Sequence, residues 1–132
     1  MPEWRDDPTI NDDEHVWRRV LVDDPFQVKK DPKTGQPRPS SAAFKSSTQL
    51  TSVAVASLTT PEEFLAGFPR HSLVEVDARA VRDAGCMLVR DPEPGNPAHA
   101  LIIGTTREDG RLTSLEARRI ADKARWVVYN SP

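Results

Sequence analysis

The sequence predicts an α+β domain: a small mixed or antiparallel sheet of five to six short strands, a long C-terminal helix packed on one sheet face, and a short mid-chain helix. Three observations carry this expectation. Short aliphatic runs are separated by proline- and glycine-bearing turns, which is the pattern of strands. Two capping-box patterns, Thr60 to Glu63 and Thr113 to Glu116, mark helix starts. Beyond the second, Ala117, Ile120, Ala121, Ala124 and Val128 recur at helical spacing. Long helices do not alternate with the strands, which argues against a doubly wound nucleotide fold.

At 132 residues the chain is one domain's worth, with 29% charged and 37% hydrophobic residues, and it reads as a soluble globular protein. The expected organisation is an acidic, flexible N-terminal arm over residues 1–14, a globular domain over 15–129 and a loose end over 130–132. A formal net charge of −2 argues against a generally cationic nucleic-acid binder. Cys86 is the single cysteine, so neither an internal disulfide nor a cysteine metal cluster forms within one chain. No signal peptide and no membrane-length apolar run stand out, so the expected location is cytoplasmic.

In chain order, Met1 to Glu14 carry six acids against Arg5, with Trp4 and Ile10 as the large apolar side chains. Trp4 is a candidate anchor for a partner. His15 to Val22 reads as a strand that ends at Asp23-Asp24-Pro25 and puts Arg18 on one face with Val16, Val20 and Val22. An arginine on an apolar face needs a counterpart, either a carboxylate of the protein or an anionic ligand. Phe26 to Lys30 reads as a second strand, and Asp31 to Ser47 as loop. Lys29, Lys30, Lys33, Arg38 and Lys45 make this stretch the local basic patch, and Ser40 and Ser41 offer hydroxyls for an anion. It has no Walker or dinucleotide-type glycine pattern.

Leu50 to Leu58 reads as a strand of small side chains. Thr60-Pro61-Glu62-Glu63 starts a short helix that Gly67 and Pro69 stop, and its paired acids are explained by the cap and the helix dipole. Leu73 to Val76 and Cys86 to Val89 are further strands flanking a helical turn over Ala78 to Ala84. The prolines of Asp91 to Pro97 exclude helix interior and central strand. Ala98 to Ile103 follows as a buried strand with His99 on the face of Leu101 and Ile103. The last helix exposes Arg118, Arg119 and Arg125, a basic face suited to a partner.

The histidines His15, His71 and His99 have no metal-ligand spacing, so no metal is expected, and no cofactor loop is present. Cys86 lies in an apolar run without an adjacent base and reads as a buried thiol. Ser40 and Ser41 lack the nucleophile-elbow glycines. The catalytic candidates that remain are Arg18, Ser41 and His99, and the anion-binding ones are Arg18, Lys30, Lys33, Arg38, Ser40 and Ser41. An arginine on the first strand, a serine-bearing segment and a late strand histidine resemble the arginine–serine–acid layout of ADP-ribosyltransferase-like domains. The resemblance implies a nucleotide- or NAD-handling enzyme.

Without a convergent nucleophile, base and orienter, the residues themselves lean away from catalysis. They favour a small interaction or accessory module of a cytoplasmic, bacterial-type system, docking to another protein or to itself through Trp4, Arg118, Arg119 and Arg125. Nucleic-acid binding through Lys29 to Lys45 and Arg118 to Arg125 is a further, less favoured reading.

Overall fold

Short extended runs find their backbone partners across the molecule, and they do so here in one antiparallel ladder. The computed structural model describes residues 3–131. Met1, Pro2 and Pro132, which the sequence reading assigned to the arm and the loose end, lie outside the described residues. Eight strands form: β1 (His15–Leu21), β2 (Val28–Lys30), β3 (Pro37–Pro39), β4 (Thr51–Val55), β5 (His71–Asp77), β6 (Met87–Arg90), β7 (His99–Ile103) and β8 (Arg125–Val128). Six of them make an antiparallel sheet in the order β6-β7-β4-β1-β5-β8, and β2 with β3 makes a separate two-stranded sheet. Three short helices accompany them, α1 (Pro61–Leu65), α2 (Ala78–Asp83) and α3 (Ser114–Ala121).

The expectation of a long C-terminal helix packed on one face is therefore corrected. α3 is eight residues long, and the chain turns through Asp122, Lys123 and Ala124 into β8. The expected helical face joined two elements. Ala117, Ile120 and Ala121 are buried on α3, whereas Trp126, Val127 and Val128 belong to a strand that pairs with β5. β-Branched and aromatic side chains suit a strand, and β8 covers an edge of β5 that would otherwise present unpaired amides. A mixed sheet is likewise excluded, since every pairing is antiparallel.

The core lies on one face of the sheet. Val16 and Val20 of β1, Val74 and Val76 of β5, Val53 and Val55 of β4, Ala100 and Ile102 of β7 and Leu88 of β6 are all buried there. Ala78 and Val81 of α2, and Ala117 and Ile120 of α3, close over them. At about 25 cal/mol per Å² of apolar area removed from water, such a layer is what offsets chain entropy in a domain of this size.

Residues 3–14, expected to be a flexible arm, make a dense set of contacts. Ile10 is fully buried in the core, the Asp7 amide donates to Leu88 O, and Arg82 binds the Asp6 and Asp12 carboxylates. The Trp4 indole lies against Gly110, at 2.7 Å from where a Cβ there would sit.

Loop Gly104 to Thr113 is held from below by one carboxylate. Glu116 accepts from the Thr105 and Thr113 amides and from the Thr106 hydroxyl, and the Thr113 hydroxyl accepts from the Glu116 amide, which completes the capping box. Glu116 is buried, and these bonds hold its carboxyl below the ordinary range against the opposing effect of burial. Burial, with Glu116 adding, pushes the Cys86 thiol up to about 12, so it stays protonated and structural. A Cβ at Gly104 would meet Arg111 O at 2.7 Å and Glu116 Oε1 at 2.8 Å.

Three outcomes follow for stability. Glu116→Ala leaves two backbone donors unpaired and should cost about 3 kcal/mol in urea unfolding. Gly104→Ala forces a backbone carbonyl aside and should cost about 2 kcal/mol. Glu116→Gln, which keeps one acceptor oxygen, should fall between wild type and Glu116→Ala.

Candidate functional site

The site begins with a ladder that stops short. β1 pairs with β5 along seven residues but with β4 at two positions alone, Val16 with Val55 and Trp17 with Ala54. In the antiparallel register the next partners would be Arg18 with Val53 and Arg19 with Ser52. Instead the strands part, and those four residues line a cavity of about 200 Å³ together with Gln27, Phe64, His71, Asn96 and His99.

Arg18 bridges the parting. It projects from the core face of β1, between Val16 and Val20. Its Nε–H donates to Ala43 O and its Nη1–H to Ser52 O, both at 2.7 Å. Ala43 ends a 3₁₀ turn over Ser41–Ala43, so the guanidinium ties that turn and β4 to β1. Arg18 forms no ion pair among the described residues, and its counterparts there are the two backbone carbonyls rather than a carboxylate. Burial, with Arg19 adding, pulls its pKa down to about 10, and it remains charged at neutral pH.

Arg19 projects from the opposite face. Its guanidinium stacks over Phe64 and Phe68, at 4.5 and 3.8 Å from the ring centroids, and donates to Phe64 O at 2.8 Å. It too makes no ion pair among the described residues, and burial lowers its pKa. His71 sits edge-on to Phe68, with ring centroids 5.3 Å apart. Its Nδ1 is buried without a hydrogen-bond partner.

His99 enters from β7, where it pairs with Ala54. Its Nδ1 lies 2.9 Å from Asp91 O and 3.1 Å from Asp91 Oδ2, both acceptors. Nδ1 therefore carries the proton, and in the neutral ring Nε2 is left as an acceptor. The proline-rich turn makes this possible, because the Asp91 amide returns to His99 O and Glu93 bridges Asn96, folding the turn back over the histidine. Asp91, Glu93 and His99 also bring one donor atom each within 4.8 Å of one another, and they are the described residues best placed to hold a divalent ion. Asp91 and Glu93 are exposed carboxylates beside a histidine, an arrangement that needs no ion.

The cleft thus unites Arg18 and His99, two of the three catalytic candidates. It excludes the third. Ser41 lines a different cavity, and the Ser40 hydroxyl donates to Phe26 O. The serine in the cleft is Ser52, which contributes its backbone oxygen to Arg18. Lys30 and Lys33 are exposed on the β2–β3 hairpin, and Arg38 reaches Asp122 at 3.9 Å. That hairpin is not an open loop, because Trp126 Nε1 donates to Pro37 O. Among the partner candidates, Arg125 is engaged by Glu75 and Asp77, and Trp4 packs on Gly110. Arg118 and Arg119 stay exposed.

Arg19, Asn96 and Phe64 were not singled out as site residues from the sequence, and His71 was weighed there only as a metal ligand. The adjacent arginines were the available signal, since opposite-face neighbours line one cavity only where a sheet splits.

The cleft-lining residues carry two guanidiniums and two imidazoles and no carboxylate. A second cavity of about 350 Å³ shares Arg19, Phe64 and Asn96 with it and continues past Phe68, Glu63 and Pro97. Comparison with protein-family models, with curated proteins and with solved structures returned no match.

Burial, then Arg19 and Arg70, holds His71 below its ordinary value of 6.5. The unfolded chain then takes up this proton at a higher pH than the folded one. Stability from His71 is full above that ordinary value and is lost as pH falls through the window down to the depressed one. In urea unfolding between about pH 7.5 and 5, His71→Gln should show a shallower loss of stability than wild type.

Proposed function

We propose that the protein binds a small organic anion in the cleft where β1 and β4 part. Arg18 carries the reading: a desolvated guanidinium, held in place by two carbonyls and matched by no carboxylate of the described fold. A buried charge without a counter-ion is costly, and an anionic ligand supplies what the fold omits. Two main-chain oxygens occupy Nε and Nη1, which leaves the Nη2 edge for a carboxylate or phosphate. His99 adds an acceptor for a ligand hydroxyl or amide, and Asn96 sits at the junction of the two lobes. The neighbouring lobe, where the Phe64 and Phe68 rings stand beside Thr59, Glu63 and Asn96, gives the rest of the ligand a mixed polar and aromatic surface.

Together the lobes reach the size range of small-molecule sites and favour a nucleotide-sized ligand, in keeping with the nucleotide- or NAD-handling expectation. The arginine–serine–acid layout is incomplete in the cleft, so this reading is of binding rather than of a particular transfer reaction. It keeps the chain as a cytoplasmic accessory protein.

A second reading, docking to another protein, is favoured by one observation. Leu115 is 54% exposed on α3 and is flanked at helical spacing by the exposed Arg118 and Arg119.

Thermal-shift and calorimetric titration with pyrophosphate, ADP and NAD should separate the two readings. Under the first, at least one of these raises Tm, and Arg18→Gln, which keeps a donor for one carbonyl, weakens binding about a hundredfold, the loss of a buried charge-assisted contact. His99→Phe should weaken it by about tenfold. Absence of binding by all three, with a native mass above that of a monomer that Leu115→Glu restores to monomer, would favour docking.

A further inference from the structure

A separate cavity, of about 560 Å³, lies between the 3₁₀ turn Ser41–Ala43, the Ser46–Ser47 loop and the start of α3. It shares no lining residue with the Arg18–His99 cleft. Its walls include Lys45, Arg107 and Arg111, along with hydroxyls from Ser41, Ser46, Ser47, Thr113 and Ser114.

The charge there is not balanced. Arg107 and Arg111 share the single carboxylate of Asp109, at 2.9 and 2.8 Å, and together hold its carboxyl far below the ordinary range. Lys45 forms no ion pair among the described residues, and its Nζ donates to Ser114 Oγ at 2.7 Å. Three cations therefore face one carboxylate. Glu116, close by, is committed to the Thr105 and Thr113 amides.

The hydroxyls show the same imbalance. Ser114 Oγ accepts from Lys45, Ser46 Oγ accepts from the amides of Thr48 and Gln49, and Thr113 Oγ1 accepts from the amide of Glu116. Ser114 Oγ and Ser46 Oγ retain their protons and donate to no acceptor among the described residues, whereas the Thr113 hydroxyl is also engaged by the Glu116 carboxylate. The cavity is thus rich in donors and poor in acceptors. The ligand that complements it is acceptor-only, multiply charged and able to take several donors from different directions.

We propose that this cavity is a second anion site, which binds the phosphate of a small phosphomonoester. A phosphate presents three terminal oxygens and close to two negative charges, against two oxygens and one charge for a carboxylate, and so answers both the charge and the number of free hydroxyl protons. The cavity exceeds the phosphate alone and leaves room for the esterified carbon skeleton.

The test is amide chemical-shift titration of the full chain with inorganic phosphate and with glycerol 3-phosphate, against sodium chloride at matched ionic strength. Saturable shifts at Lys45, Ser46, Ser47 and Ser114 with both phosphates, and none with chloride, are expected. Lys45→Gln and Ser114→Ala alter exposed side chains, and a wild-type spectrum confirms their fold. Each should weaken binding by about tenfold, the loss expected for one charge-assisted bond. Shifts confined to Ser52 and Asn96 would place the phosphate in the Arg18 cleft and overturn the proposal. So would non-saturating shifts, or affinities unchanged in both variants. Loss of binding in the Arg18 cleft leaves these signals unaffected, so the two sites stand or fall separately.

Discussion

The interaction on which the rest of the structure depends is the bridge made by Arg18. Where the β1–β4 ladder ends, the Ser52 carbonyl loses the amide partner that a continuous sheet would supply, and the Ala43 carbonyl of the 3₁₀ turn faces the same gap. Arg18 supplies donors from a side chain instead, to Ser52 O on β4 and to Ala43 O on the adjoining turn. One guanidinium thus does the work of missing ladder bonds while holding two strands apart. The gap it maintains lets side chains from opposite faces of β1 reach a common cavity. A continuous sheet would bury Arg18 among valines and leave Arg19 on the far side.

Charge is distributed with similar economy. The chain carries 18 basic and 20 acidic side chains, yet neither the Arg18–His99 cleft nor the Lys45 cavity has an acid among its lining residues. Asp6 and Asp12 hold Arg82, which ties the N-terminal segment to α2, and Glu75 with Asp77 holds Arg125 and His15 on the sheet. Asp109 is shared by two arginines. Arg18 and Arg19 in the cleft and Lys45 in the other cavity have no ion pair among the described residues, so a slightly acidic protein presents two locally positive cavities. Net charge governs long-range behaviour, whereas the field inside a cleft follows the few groups that line it.

Much of the local structure was legible. Thr60 and Thr113 with their glutamates announced helix starts, and the hydroxyl of each accepts the expected amide. The prolines from Asp91 to Pro97 excluded regular structure, and the turn they make returns to His99. Arg18 on a face with Val16 and Val20 was the informative misfit, because an apolar strand face does not hold a guanidinium without reason. Asp77 shows the limit of such reading. It stands at the cap position of α2 with no side-chain bond to the helix, and its carboxylate goes to Arg125 and His15 instead.

By itself the sequence determined where the chain turns, where two helices begin, which faces of the strands are apolar, and that Arg18 requires a counterpart. These follow from neighbours within a few residues, where sterics and hydrogen bonding act directly. Tertiary structure decided the rest. Whether Arg125 to Val128 continues a helix or becomes a strand depended on the free edge of β5, some fifty residues away in the chain by the β5–β8 register. The gathering of Arg18, Arg19, His71, Asn96 and His99 depended on where a ladder stops, and local periodicity carries no record of that. Separation of Ser41 from the cleft had the same origin, since the turn that bears it binds Arg18 through a backbone carbonyl and directs its hydroxyls to another cavity.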